Sequence, residues 1–318
     1  MSRSPASLAA ALLTGRLVPS EAKSFSAREF WTNFSDVKVL ETVIDMDVDQ
    51  ILAAVGCSME IALRARSLLD ASRAFAFESE RLEREGITAL TAFDENFPSR
   101  LRGKLQNQCP VMLLVSGPVE LLSRPSIGIV GSRNVSKTLM DTATKIARAA
   151  VHGGQGVVSG LARGIDLTSM GAALDVGGHV IGIPSEGVRV VARNAEVRSA
   201  VHEEKLVIAS PYGPDAPFTP GNAMGRNKVI YGLATTTIVV TSDEGKGGTW
   251  NGAIEALNKN YGRVVVWDSH DVGPGNAGII KRGGRAISSL EDDSWMTDLD
   301  LERETIPTAV QLKLFPAN

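Results

Sequence analysis

Apolar and polar positions change their rhythm twice along the chain. From Ala27 to about Glu85 apolar residues recur at three- and four-residue spacing with almost no helix breakers, which predicts a small helical domain within residues 1–86. Between Gly86 and Leu122 the pattern breaks into short pieces at Pro98, Pro110 and Pro118, with one strand-like run from Val111 to Val115, so residues 87–125 read as a connector. From Ser126 onward, β-branched apolar runs at 126–131, 156–160, 179–184, 206–210, 236–242 and 263–268 alternate with helical patterns at 137–152, 164–176, 193–204, 222–233 and 248–260. That alternation predicts an α/β domain over 126–290, a doubly wound and mostly parallel sheet covered by helices on both faces. The runs are apolar almost throughout, as expected of strands buried on both sides. Residues 291–318 read as an acidic, then irregular tail, and no internal repeat stands out.

In a parallel sheet the loops that follow the strands share one edge, so unusual loops there converge on one crevice. Three are unusual: Gly131-Ser132-Arg133-Asn134, "SGLARGID" at 159–166, and "DEGKGGTW" at 243–250. Glycine lets the backbone approach a ligand closely, and the unpaired amides at a helix start favour an anion. Arg133, Arg163 and Lys246 add charge, the guanidiniums being able to grip two phosphate oxygens at once. The expected phosphate cradle is therefore Gly131, Ser132 and Arg133 with Ser159, Gly160, Arg163, Lys246, Gly247, Gly248 and Thr249. A fourth element, "PYGPDAPFTPGNAMGRNKVIYGLA" at 211–234, is a long loop running into a helix that carries Arg226, Asn227 and Lys228. It brings Tyr212 and Phe218, and Trp250 follows the third loop; Phe218 and Trp250 are the candidates for stacking on bases.

Composition narrows the chemistry. With 33 Lys and Arg against 36 Asp and Glu the net charge is −3, so a polyanion site has to be local. Cys57 and Cys109 make no disulfide framework and lack zinc spacing, and the four histidines are scattered, so no metal and no cofactor is expected. The apolar stretch after Pro5 is too short for a secretory core or a membrane span, which leads to the expectation of a cytoplasmic protein without a membrane partner. The first loop comes near an ATP-binding P-loop, but Ser136 stands where the second glycine belongs, and Asp268 is an unspecific strand-end acid. Gly128 and Gly131 do not make a dinucleotide fingerprint, and Ser159 has no assigned base with which to act as a nucleophile.

"GIVGSR", "VVSGLARGID", "PGNAMGRNKVIYGLA" and "GKGGTWNGAIEAL", in this order and spacing, resemble the DNA-processing protein A (DprA/Smf) family over roughly residues 87–288. The resemblance implies a Rossmann-like domain that binds single-stranded DNA, forms a homodimer and helps load a RecA-type recombinase during DNA uptake, without catalysis. Carried over by motif, it implies DNA contacts at Arg133, Ser159, Gly160, Arg163, Arg226, Asn227 and Lys228. The winged-helix C-terminal domain of the family is not expected in this chain. The third loop is also similar to that of the phosphoribohydrolase-like nucleotide-binding superfamily, whose motif carries a catalytic glutamate three residues after the threonine. Here that position is Gly252 and the nearest acid on the helix is Glu255, so a nucleotide-binding or nucleotide-cleaving enzyme is the alternative expectation.

Overall fold

The computed structural model describes residues 3–18, 20–291 and 295–296. Six helices come first: α1 (Pro5–Thr14), α2 (Ala27–Asn33), α3 (Val37–Thr42), α4 (Val48–Val55), α5 (Met59–Leu69) and α6 (Ser72–Arg84). Their starts are written in the sequence. Ser26 and Glu29 form a capping box on α2, Asp47 and Gln50 one on α4, and Ser4 and Ser58 accept amides at the starts of α1 and α5. After them run β1 (Ile87–Thr91), α7 (Ser99–Leu105), β2 (Met112–Ser116), β3 (Ser126–Gly131), α8 (Lys137–His152), β4 (Gly156–Ser159), α9 (Ile165–Asp175), β5 (Val180–Gly182), α10 (Val188–Val191), α11 (Ala195–His202), β6 (Leu206–Ser210), α12 (Pro220–Leu233), β7 (Thr236–Thr241), α13 (Gly247–Lys259), β8 (Arg263–Trp267), α14 (Gly275–Ile280) and β9 (Arg285–Ile287).

One nine-stranded sheet holds these strands in the order β1-β2-β6-β5-β4-β3-β7-β8-β9. From β6 to β9 all pairs are parallel, while β2 joins β6, and β1 joins β2, antiparallel. Residues 87–125, read from the sequence as a connector, thus carry two strands of the sheet. The short β1, "ITALT", lacks the long apolar run that marks the parallel strands, and β9 and α14 are likewise too short to stand out by periodicity. Starting from β3 the chain winds outward through β4, β5 and β6, then returns beside β3 to form β7. The reversal of winding therefore lies between β3 and β7, the place where open α/β sheets leave a crevice beyond the strand ends.

Apolar side chains cover both faces of the sheet. One face packs under α7, α12 and α13, with Leu101, Leu105, Val229, Ile230, Ala253 and Ala256 buried there. The other packs under α8 and α9 and runs without interruption into the N-terminal helices, from Ile129 and Ala143 to Leu13, Phe30 and Leu69. Trp31 ties the same helices to the α7 side as well. Its indole N–H donates to the Cys109 carbonyl at 2.8 Å, its ring lies under the Arg102 guanidinium at 3.7 Å, and it meets Phe30 edge-on at 5.2 Å. Ser7 of α1 is equally committed: its hydroxyl receives a buried hydrogen bond from Thr91 in β1 at 3.0 Å. The expected tail at 291–318 lies outside the described residues except for Glu291, Trp295 and Met296, and the last two are buried, Met296 against Gly153. No helix among the described residues is long and apolar enough to cross a membrane.

Candidate functional site

A crevice of about 890 Å³ opens at the carboxyl ends of β3 and β7, where the winding reverses. Its first wall is the loop after β3. The Ser132 amide donates to the Thr241 carbonyl of β7 at 3.1 Å, and the strand register slips between Val130 and Gly131, so the chain leaves the sheet there. Ser136 then caps α8 by accepting the Leu139 amide at 3.3 Å. Between these fixed points Arg133 and Asn134 are exposed at the mouth. The Arg133 guanidinium lies 5.3 Å from the centre of the Phe218 ring, which comes from the loop before α12 and is 45% exposed. A cation and a flat aromatic face thus stand together at the entrance.

The opposite wall is the start of α13. Lys246 occupies the cap position without a capping side chain, Gly247 has φ +84°, and Gly247, Gly248 and Thr249 line the crevice. Uncapped amides at this end carry the positive pole of a thirteen-residue helix. Asn227 of α12 fixes the wall, its amide nitrogen donating to the Gly248 carbonyl at 2.9 Å.

The floor is Arg226, 5% exposed, paired at 3.7 Å with Asp166, which is 6% exposed. Burial is the larger influence on both groups, pushing the Asp166 carboxyl up and the Arg226 guanidinium down, and each is opposed by the charge of its partner. The carboxylate also accepts the Gly160 amide at 3.1 Å, whereas Arg226 Nε and the Tyr231 hydroxyl are buried with no hydrogen-bond partner among the described residues. Both Arg226 and Tyr231 line the crevice. Desolvated donors without acceptors are costly, so a floor of this kind suits a ligand rich in acceptors.

Of the residues expected from the sequence, the crevice gathers Gly131, Ser132, Arg133, Phe218, Arg226, Asn227, Lys246, Gly247, Gly248 and Thr249. The rest it does not. Ser159 is fully buried and donates its hydroxyl proton to the Ile129 carbonyl at 2.6 Å. Gly160 sits behind Arg226: a Cβ there would come within 1.6 Å of the guanidinium. Arg163 is exposed outside the crevice, and Lys228 reaches away toward Gln108, 3.3 Å from its Oε1. Trp250 turns its back on the crevice, packing on Gly278 under Arg282, whose guanidinium lies 5.0 Å from the ring centre. Tyr212 is spent locally, donating to the Asn222 carbonyl at 2.6 Å, and burial holds its hydroxyl up to about 12. Glu255 does not line the crevice and accepts a hydrogen bond from Tyr261 at 3.1 Å. Sequence reasoning missed Asp166 as the counter-ion of the floor, together with Asp243 and Asp271 on the crevice lining. Asp166 lies within "SGLARGID", and the Asp271 loop, "DSHDVGPGN", carries a proline and glycine turn signal.

The model of the family described as DNA recombination-mediator protein A matches residues 88–296. The chain belongs to this family. It is 30% identical over 216 residues to the DNA processing protein DprA of Bacillus subtilis, covering 65% of this chain and 70% of that one. To DprA of Streptococcus pneumoniae it is 28% identical over 212 residues, covering 65% and 73%. The solved structure of the S. pneumoniae DprA superposes with a TM-score of 0.64 at 23% identity, over 85% of this chain and 97% of that one. At such identity the likeness establishes the DprA fold. A structure of DNA processing protein A from Helicobacter pylori, described for its single-stranded DNA binding mode, superposes with a TM-score of 0.54 at 21% identity, over 64% of this chain and 92% of that one.

Proposed function

We propose that this DprA-family chain binds single-stranded DNA in the crevice between the β3 and β7 loops, without catalysis, and as a cytoplasmic homodimer delivers the strand to a RecA-type recombinase. The observation that carries the reading is the buried Arg226, its Nε without an acceptor, on the floor between the exposed Arg133 and Lys246. Phosphates supply the missing acceptors, the α13 amides add donors, and Phe218 offers a face to a base. The single-stranded DNA binding described for the H. pylori relative supports the same ligand class. The phosphate set in this reading is Arg133, Arg226 and Lys246 with the amides of residues 247–249. No catalytic step enters it, because the glutamate that a nucleotide hydrolase would use, Glu255, is engaged by Tyr261 away from the crevice.

The test is a salt titration with labelled single-stranded and double-stranded oligonucleotides. Three neutralised phosphates give a slope of log affinity against log salt of about −2, at about −0.7 each. Arg133→Ala with Lys246→Ala should weaken binding and make that slope shallower. Salt-independent binding, or binding untouched by the double substitution, contradicts the reading. Light scattering tests the dimer, and displacement of a single-strand-binding competitor by a recombinase, with and without this protein, tests the loading step.

A further inference from the structure

The loop at 211–219 has two sides. Phe218 faces the first crevice, whereas residues 213–216 line a second cleft of about 710 Å³, closed on its far side by the N-terminal helical region. The loop is held in place by its own backbone: the Arg189 amide donates to the Pro214 carbonyl at 3.0 Å and the Gly187 amide to the Ala216 carbonyl at 2.8 Å.

Charges in this second cleft are unequally spent. Arg189 collects Glu78, Glu85 and Asp215 at 3.3, 2.5 and 2.8 Å, and Glu78 also pairs with Arg81 at 2.7 Å. Two guanidiniums thus offset two of the three carboxylate charges. Arg16 and Lys23, on the segment between α1 and α2, line the same cleft, are exposed, and make no side-chain hydrogen bond or ion pair among the described residues. Arg16 and Lys23 added to that hub tip the local balance to a positive excess, with both of their own charges free for an anion, in a chain whose net charge is −3.

The two clefts lie on either side of one loop, Phe218 lining the first and Gly213, Pro214, Asp215 and Ala216 the second. The Arg16 carbonyl lies against Gly213, within 3.4 Å of where a side chain there would begin. A strand that leaves the crevice over the Phe218 side of this loop has Arg16 and Lys23 on the loop's other side.

Resting on the reading of the crevice as a single-strand site, we propose that the cleft between the helical region and the 211–219 loop is the continuation of that site. There Arg16 and Lys23 take phosphates of the same polynucleotide strand. The helical region then lengthens the bound segment, and its contribution is felt only by strands long enough to span both clefts.

The test compares oligothymidylates of about 4 and about 16 nucleotides, the ends of the usual range of single-strand site sizes, on three full-length proteins. These are the parent, Arg16→Ala with Lys23→Ala, and, as an equal removal of charge elsewhere, Lys145→Ala with Arg148→Ala on the exposed side of α8. All four positions are exposed, and unchanged thermal unfolding verifies that folding is unaffected. The expected result is a loss of affinity for the long strand in the first variant alone, with its salt slope shallower by about 1.4, two phosphates at about 0.7 each, and no change for the short strand. Equal weakening of both lengths, equal weakening by the α8 variant, or no weakening at all overturns the proposal; the last result leaves the cleft to an acidic protein segment. If the parent binds neither length, the crevice reading itself falls and takes this extension with it.

Discussion

Two loops at the same edge of the sheet, one after β3 and one after β4, both start at a glycine and both carry an arginine, yet they are put to opposite uses. The β3 loop anchors its ends through Ser132 and Ser136 and leaves Arg133 exposed beside Phe218. The β4 loop turns its polar groups inward: Ser159 to a strand carbonyl, the Gly160 amide to Asp166, and Asp166 to Arg226. Gly164, at φ +84°, lies against the Ser132 and Arg133 carbonyls, where a Cβ would come within 2.5 Å of the Arg133 oxygen. The second loop is thus the mould in which the first is set and the floor residue is held. A motif specific enough to mark a family is, in this molecule, largely a device for holding other residues.

That division of labour can be broken at its strongest point first. Asp166→Ala leaves the Arg226 charge buried and uncompensated, and chemical denaturation should show a loss of about 3–5 kcal/mol. Asp166→Leu with Arg226→Met should recover most of that stability and still bind DNA poorly, separating the fold's use of the pair from the ligand's. Gly164→Ala comes next, a loss of about 1–3 kcal/mol from backbone strain, with weakened DNA binding because the β3 loop must shift. Phe218→Ala reverses the pattern: its thermal midpoint stays within the scatter of an exposed substitution, about 0.5 kcal/mol, while affinity for a single strand falls by about 1–3 kcal/mol in an equilibrium titration.

The smallest effect lies outside both loops. Glu29 is held at about 2, below its usual 4.5, mainly by its hydrogen bond from Arg64 and then by the Ser26 amide. A lowered carboxyl contributes stability that is fully present above pH 4.5 and lost as pH falls through 2. With the glutamate side chain 43% exposed, solvent screens the pair, so the contribution is at most about 1 kcal/mol. Urea midpoints between pH 2 and 5 should flatten in Arg64→Ala, and an unchanged profile would detach acid stability from this pair.

The parallel core of the fold was legible because its strands are apolar on both faces and separated by helical patterns; the span predicted for α8 coincides with the helix found. The run at 111–115 found β2 within one residue, but β1 and the joining of both strands to the sheet were hidden, because an edge pair interrupted by α7 and prolines looks like a connector until its partner strand, β6, is known. In the site, chain position indicates which loops reach the crevice but not which way a side chain turns. Trp250 and Asn227 both border the crevice in sequence, and only packing on Gly278 in one case and a bond to Gly248 in the other separates them. The buried partnership of Asp166 and Arg226 joins residues 60 positions apart, and no local pattern announces it.

The unbroken apolar layer that runs from the helices at the amino end onto one face of the sheet has a calorimetric consequence. Heating should yield one endotherm whose van't Hoff and calorimetric enthalpies agree, because neither part can melt without exposing the other. By the same logic, excising the first 86 residues would strip the cover from Ile87, Ala89, Val111 and Leu114, and the remainder should precipitate rather than persist as a smaller DNA-binding unit.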